Sequence, residues 1–108
     1  MRINFKEGVY VLFLDDRVLP GLEMVAAVYF EEGQVVTITS ACDSHHSPGS
    51  LHPKGLAFDL RIWGLKDPWK TAAALIVKLK IVSPCWQVVF GDPLHLDHIH
   101  IEFDERGV

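Results

Sequence analysis

The segment 55–62, with the sequence GLAFDLRI, alternates strictly between large apolar residues and small or charged ones. Successive side chains of a β-strand point to opposite faces, so this pattern predicts a strand with one core-facing surface. Asp59 lies on the other surface, beside the small residues Gly55 and Ala57. Small neighbours leave space next to the carboxylate for a metal ion or for the backbone of a substrate. The side chains predicted to face the core are Leu56, Phe58, Leu60 and Ile62.

A second strand with the same alternation is predicted over 98–103, where the sequence is HIHIEF. Its core face carries Ile99, Ile101 and Phe103. Its opposite face carries His98, His100 and Glu102. Each of the two strands therefore combines an apolar face with a face of metal-ligand side chains. If they are close together in one sheet, they can supply His and Asp to one cation.

Two helices are predicted in the rest of the chain. The first begins near Pro20, a residue suited to the first turn, and ends near Gly33, where a left-handed cap is usual. The second helix covers 69–81, with Asp67 as its N-cap and Pro68 at its first position. Further strands are predicted over 9–14, 34–39 and 86–90.

This order of elements predicts an α+β fold, in which the helices pack on a mostly antiparallel sheet. We expect residues 1–108 to form a single domain, since the chain has the length of one and contains no repeat or linker. The segment 40–53 is rich in Ser, His, Pro and Gly and is predicted to be a loop. Loops of this length in compact domains are often functional.

The composition excludes several classes of protein. Hydrophobic residues make up 49% of the chain and charged residues 22%, which is typical of a globular domain. The net charge is −4 and no basic run occurs, so no nucleic-acid partner is expected. The sequence contains no stretch long enough for a membrane span and no secretory signal. We therefore expect a protein that is cytoplasmic when made.

No cysteine-rich metal site is predicted, because the only cysteines, Cys42 and Cys85, form no CxxC pair. His52 lies seven residues before Asp59, at the end of the polar loop. Together with His100, these residues would provide two imidazoles and one carboxylate. Such a set suits Zn²⁺ and leaves a fourth position for water, as catalytic zinc sites require.

Two motifs resemble the LAS metallopeptidases, a group that includes D-Ala-D-Ala carboxypeptidases, L-alanyl-D-glutamate endolysins of phages and, as a relative, the hedgehog signalling domain. Residues 50–61, SLHPKGLAFDLR, are similar to the group's S-x-H-x-x-G-x-A-x-D motif. Residues 97–100, DHIH, resemble its second motif, in which an acidic residue lies three positions before the last zinc-binding His. The segment 43–59 is similar to the hedgehog version. The resemblance implies a hedgehog-like or D-Ala-D-Ala-peptidase-like fold.

The resemblance also implies roles for individual residues. The zinc ligands would be His52, Asp59 and His100. Asp97 would be the general base, and His98 would line the site and stabilise charge in the transition state. Two residues of the loop would contact the substrate, namely His46 and Ser50.

The chain departs from the group's pattern at one place that concerns the substrate. Many carboxypeptidases carry S-G-Y-R where this chain has Ser40, Ala41, Cys42 and Asp43, so the arginine that would bind a terminal carboxylate is missing. The identity of the base is also left open. Strict alternation points Asp97 away from His98, which requires Asp97 to precede the regular strand. Otherwise Glu102, on the face of the histidines, becomes the base.

The leading hypothesis is a zinc peptidase that hydrolyses a peptide of bacterial peptidoglycan, as an endolysin or a carboxypeptidase. Such a protein would be made in a phage-infected bacterium and act on the wall after release or from a virion. A non-catalytic, zinc-stabilised binding module is the first alternative. A phage structural protein with an incidental histidine cluster is the second. A base at Asp97 favours the enzyme, while the bond that is cut and the oligomeric state are not determined.

Overall fold

The computed structural model describes residues 2–9, 14–41 and 55–106. Within these ranges the chain forms five strands and two α-helices. A short 3-10 helix, Asp16–Val18, leads into the first α-helix. In chain order the elements are β1 (Ile3–Phe5), α1 (Leu19–Glu31), β2 (Val36–Ser40), β3 (Ala57–Arg61), α2 (Pro68–Val82), β4 (Trp86–Val89) and β5 (His98–Phe103).

Helix α1 ends as its sequence predicts. Gly33 adopts a positive φ of 75°, which a glycine reaches without steric cost. Its N–H donates to the carbonyl of Phe30, and the N–H of Gln34 donates to the carbonyl of Tyr29. These two bonds form a Schellman motif and satisfy carbonyls that the end of a helix leaves open.

Helix α2 begins at the predicted cap. The Asp67 side chain accepts hydrogen bonds from the backbone N–H groups of Trp69 and Lys70, at 3.1 Å and 3.2 Å. Pro68 occupies the first position, where a missing N–H has no cost. The helix ends at Val82, one residue later than predicted, with Ser83 as its C-cap.

The sheet has the strand order β1-β2-β3-β5-β4. Strands β2, β3, β5 and β4 pair antiparallel, whereas β1 pairs parallel with β2 at one edge. The predicted mostly antiparallel α+β fold is confirmed. Strand β1 was not predicted. Of the strand predicted over 9–14, residues 10–13 lie outside the described part of the chain, and Val9 and Leu14 are not in a strand.

In the described part of the chain, a hydrophobic core lies between the helices and one face of the sheet. Alternate residues of each strand point into it, so the intervening residues of β3 and β5 point to the opposite face. Each large apolar side chain that is fully buried contributes roughly 1.5–3 kcal/mol to the stability of this layer. The largest fully buried side chains are those of Trp86, Tyr29, Phe58, Ile38, Leu60, Leu75, Leu79, Ile99 and Ile101.

Candidate metal and catalytic site

Strands β3 and β5 bring together, on the face of the sheet opposite the helices, those predicted site residues that lie in the described part of the chain. The register pairs Asp59 directly with His100 and Arg61 directly with His98. Directly opposed residues of antiparallel strands have Cβ atoms about 5 Å apart, so their side chains are in contact. The alternation of the two segments therefore produces one polar cluster above an apolar core.

His100 lies between two carboxylates. Its Nδ1 is 3.0 Å from Oδ1 of Asp59, and its Nε2 is 2.7 Å from Oε1 of Glu102. Burial lowers the pKa of His100, but hydrogen bonds to the two carboxylates and their charges outweigh burial and raise the pKa to about 9. In the metal-free protein the ring is thus protonated at neutral pH and donates on both sides.

His98 is held by Asp97, the residue that precedes it. The His98 Nδ1 lies 2.6 Å from Oδ1 of Asp97, and its Nε2 lies 3.6 Å from Oδ1 of Asp59. Asp97 comes before the first residue of β5, so strict alternation does not apply to it and its carboxylate reaches His98. Its side chain is 90% exposed. The hydrogen bond from His98 and the charge of that ring hold the pKa of Asp97 below its usual range.

Glu102, the alternative base, has a different place in the cluster. Its carboxylate accepts from His100 on the side away from Asp59. A carboxylate that binds the second nitrogen of a metal-ligand histidine fixes the orientation of the ring. Glu102 is therefore positioned to support His100, while Asp97 lies at the exposed rim.

His95 was not singled out as a site residue, but the structure adds it to the cluster. Its ring centroid lies 5.2 Å from that of His98 and 5.4 Å from that of His100. Asp92 orients it through a 2.7 Å contact with Nδ1. The residue lies in the turn before β5, where no periodicity indicates a direction for the side chain. The only feature of the sequence that indicates a role for His95 is that the six histidines all lie within residues 45–52 and 95–100.

The donor atoms of Asp59 and His100 fit a zinc ion that binds to both. Ligands of tetrahedral zinc at bond lengths near 2.1 Å are separated by about 3.4 Å. Oδ1 of Asp59 and Nδ1 of His100 are 3.0 Å apart, so a small relaxation would admit the ion in place of the Nδ1 proton. Within residues 2–9, 14–41 and 55–106, no three His, Cys, Asp or Glu side chains form a complete metal site.

Three predicted residues lie outside the described part of the chain: His46, Ser50 and His52. The structure thus brings together two of the three predicted ligands, Asp59 and His100, with the predicted catalytic residues Asp97 and His98. The third ligand and the substrate-contacting residues stay predictions.

Comparisons with protein-family models, with curated proteins and with solved structures found no match to this chain. Of the helices in the described ranges, neither is long and apolar enough to cross a membrane.

Proposed function

We propose that this chain is a zinc-dependent peptidase that hydrolyses a peptide bond of bacterial peptidoglycan, with a hedgehog-like fold of the LAS type. The observation that carries the proposal is the direct pairing of Asp59 with His100, whose donor atoms lie 3.0 Å apart. These residues belong to two separate motifs of the sequence, 41 positions apart, and both motifs resemble those of one peptidase group.

The proposed zinc ligands are His52, Asp59 and His100. A zinc ion held there would polarise a peptide carbonyl and would lower the pKa of a bound water towards neutrality. Asp97 is exposed and ionised at neutral pH, so it can accept the proton of the attacking water and pass it to the leaving amine. His98 is oriented by Asp97, and its Nε2, when protonated, donates towards the charge that develops on the carbonyl oxygen.

The cellular setting belongs to the same proposal. A peptidoglycan peptidase made in the cytoplasm of a phage-infected bacterium reaches its substrate after release by a lysis partner, or as part of a virion. The loop residues His46 and Ser50 are proposed to contact the peptide.

The proposal is tested by digesting purified peptidoglycan with zinc-loaded and metal-free protein and identifying new peptide termini by mass spectrometry. We expect a defined new terminus with the zinc-loaded protein only. That terminus identifies the peptide bond that is hydrolysed. If one zinc ion binds but no wall peptide is cut, the non-catalytic binding module is correct. If no zinc binds, the chain is better explained as a phage structural protein with a polar cluster.

Asp97→Asn tests the base. Loss of general-base catalysis reduces rates by about 10²–10⁴-fold, so the initial rate of peptide release should fall by at least about 100-fold. Zinc affinity should change little, because Asp97 is not a proposed ligand. Asp16→Asn, which also changes an exposed aspartate, is the control and should keep the full rate. Equal rates for the two variants would exclude Asp97 as the base.

A further inference from the structure

Trp63 lies at the corner of a tight turn that follows β3. The N–H of Leu65 donates to the carbonyl of Ile62 at 3.1 Å, and Gly64 has a φ of 83°, as the third residue of a type II turn requires. A Cβ atom added at Gly64 would lie 2.9 Å from Oε1 of Gln34, so the turn packs against the segment that leads into β2. Trp63 itself is 74% exposed. The turn therefore presents a large aromatic side chain to solvent at a defined place.

The stacked side chains of Trp63 and Arg61 separate two clefts. The guanidinium carbon of Arg61 lies 4.0 Å from the centroid of the Trp63 ring and covers one face of it. Both residues line each of the clefts, which have volumes of about 250 Å³ and 230 Å³. A ligand that occupies both clefts has to cross this pair, where the free face of the indole is the apolar surface available for contact.

The first cleft connects Trp63 to the proposed reaction centre. It is also lined by Asp97 and His98, the proposed base and its partner. Trp63 is four positions beyond Asp59 in the sequence, and four residues span at most about 14 Å. A group bound at Trp63 thus lies within one short ligand segment of the proposed zinc ligands.

The second cleft is polar but carries little charge. Among the described residues that line it, the only charged one is Arg61, which is stacked on Trp63. The Gln34 amide and the Thr37 hydroxyl can each donate and accept hydrogen bonds. The Tyr29 hydroxyl donates to the carbonyl of Arg61 at 2.9 Å and can still accept. The lining residues are Tyr29, Gln34, Val35, Thr37, Arg61 and Trp63.

This combination of groups matches the chemistry of a sugar. One face of a pyranose ring carries several C–H groups, which pack on an aromatic face through dispersion. Its hydroxyl and acetamido groups pair with neutral side chains that both donate and accept. At about 30 Å³ per water, the second cleft holds roughly eight waters, which is comparable to one pyranose unit.

We propose that Trp63 and the second cleft bind an N-acetylated sugar of the glycan strand that carries the peptide. The inference rests on the proposed peptidase function and specifies its substrate as peptides still attached to glycan. The first peptide bond of the stem lies about 10 Å from the sugar, whereas an extended stem places the D-Ala-D-Ala bond roughly 17 Å away. The span of at most about 14 Å between Asp59 and Trp63 therefore favours hydrolysis close to the sugar.

The binding test uses the metal-free protein, so that it depends neither on zinc nor on hydrolysis. The probes are chitotriose, a β-1,4-linked trimer of N-acetylglucosamine, and cellotriose, the glucose trimer with the same linkage but no acetamido groups. Both are titrated by NMR while the indole N–H signals are followed. We expect chitotriose to shift the Trp63 signal saturably and to bind about 5-fold or more tightly than cellotriose, since it forms additional hydrogen bonds.

Variants assign the binding to the second cleft. Trp63→Leu should weaken chitotriose binding by at least about 10-fold, because aromatic side chains at the centre of a contact dominate its affinity. Thr37→Val keeps the shape but loses the hydroxyl and should weaken binding by about 3-fold. Trp69→Leu makes the same change at an exposed tryptophan of α2 and should bind normally. Thermal unfolding shows whether each variant folds, and Thr37→Val decides if Trp63→Leu does not.

The inference is overturned if chitotriose does not bind, if cellotriose binds equally tightly, or if Trp63→Leu binds as the wild type does. For the zinc-loaded protein, kcat/KM for a disaccharide-linked stem peptide should exceed that for the same peptide without its sugars by about 10-fold. Equal values would reject the inference while leaving the peptidase intact. Chitotriose binding at Trp63 in a protein that hydrolyses no wall peptide would reject the peptidase and leave the sugar site.

Discussion

His100 determines how the metal-free site depends on pH. Its ring is held between two carboxylates, which raise its pKa from the ordinary value of 6.5 to about 9. Because the folded-state pKa is the higher one, protonation of His100 stabilises the fold. This contribution is complete below about pH 6.5 and is lost as the pH rises through about 9.

We therefore expect the free energy of unfolding of the chelator-treated protein to fall by roughly 1–3 kcal/mol between pH 6.5 and pH 9. Denaturant unfolding at the two pH values measures this loss. His100→Gln should remove most of the difference, while His95→Gln should keep it. An unchanged pH dependence in His100→Gln would show that other groups are responsible.

Removal of the Glu102 carboxylate tests whether this residue orients His100 or acts as the general base. The first role affects zinc affinity, and the second affects hydrolysis alone. Loss of a carboxylate that orients a metal-ligand histidine weakens metal binding by about 10–100-fold. Glu102→Ala should therefore lower zinc affinity by that factor in a chelator competition assay. Glu105→Ala, an exposed glutamate outside the cluster, should bind zinc normally. Full zinc affinity combined with lost hydrolysis would instead identify Glu102 as the base.

Helix α1 packs tightly against the sheet at Gly21. A Cβ atom added there would lie 2.0 Å from a ring carbon of Trp86, which is almost fully buried. The contact is between a helix and the aromatic ring of β4, so a larger residue forces the two elements apart. Gly21 thus determines the spacing between the helix layer and the sheet.

Gly21→Ala should lower the free energy of unfolding by about 1–3 kcal/mol, which is the cost of overpacking a well-packed core. Gly33→Ala is the matched comparison, since a Cβ there meets no atom within 4 Å and only the positive φ is unfavourable. Its cost should be about 1 kcal/mol. Denaturant melts of both variants provide the comparison, and a Gly21 variant as stable as the wild type would contradict the close contact.

The elements with strong local signals were predicted well from the sequence. Strand β5 has the predicted bounds, and α2 differs from its prediction by one residue at each end, since Asp67 and Pro68 define where it begins. Strand β1 was missed because three residues are too few to show alternation. It depends on pairing with β2, a contact between distant parts of the chain that local sequence does not reveal.

For the whole molecule, the sequence indicated which residues share a face but not which residues touch. Alternation placed Asp59 and His100 on polar faces, whereas their direct pairing follows from the register of β3 against β5. The cleft lined by Lys6, Thr39, Arg61 and His98 was not predicted, because the segments that carry these residues meet only in the folded sheet. Residue types indicate which chemistry a cluster can perform, whereas the distances between its side chains follow from the tertiary arrangement.

Helices and core lie on one side of the sheet, and the polar cluster lies on the other. Substitutions in the cluster should therefore change metal binding without unfolding the protein, so that the proposed zinc site can be tested by itself.

That test is the stoichiometry and affinity of zinc binding, measured by chelator competition on the wild type and on two histidine variants. We predict one zinc ion per chain, with binding weakened at least about 100-fold in His100→Gln, which loses a ligand, and little changed in His95→Gln. Absence of stoichiometric zinc, or equal affinity in wild type and His100→Gln, would contradict the account.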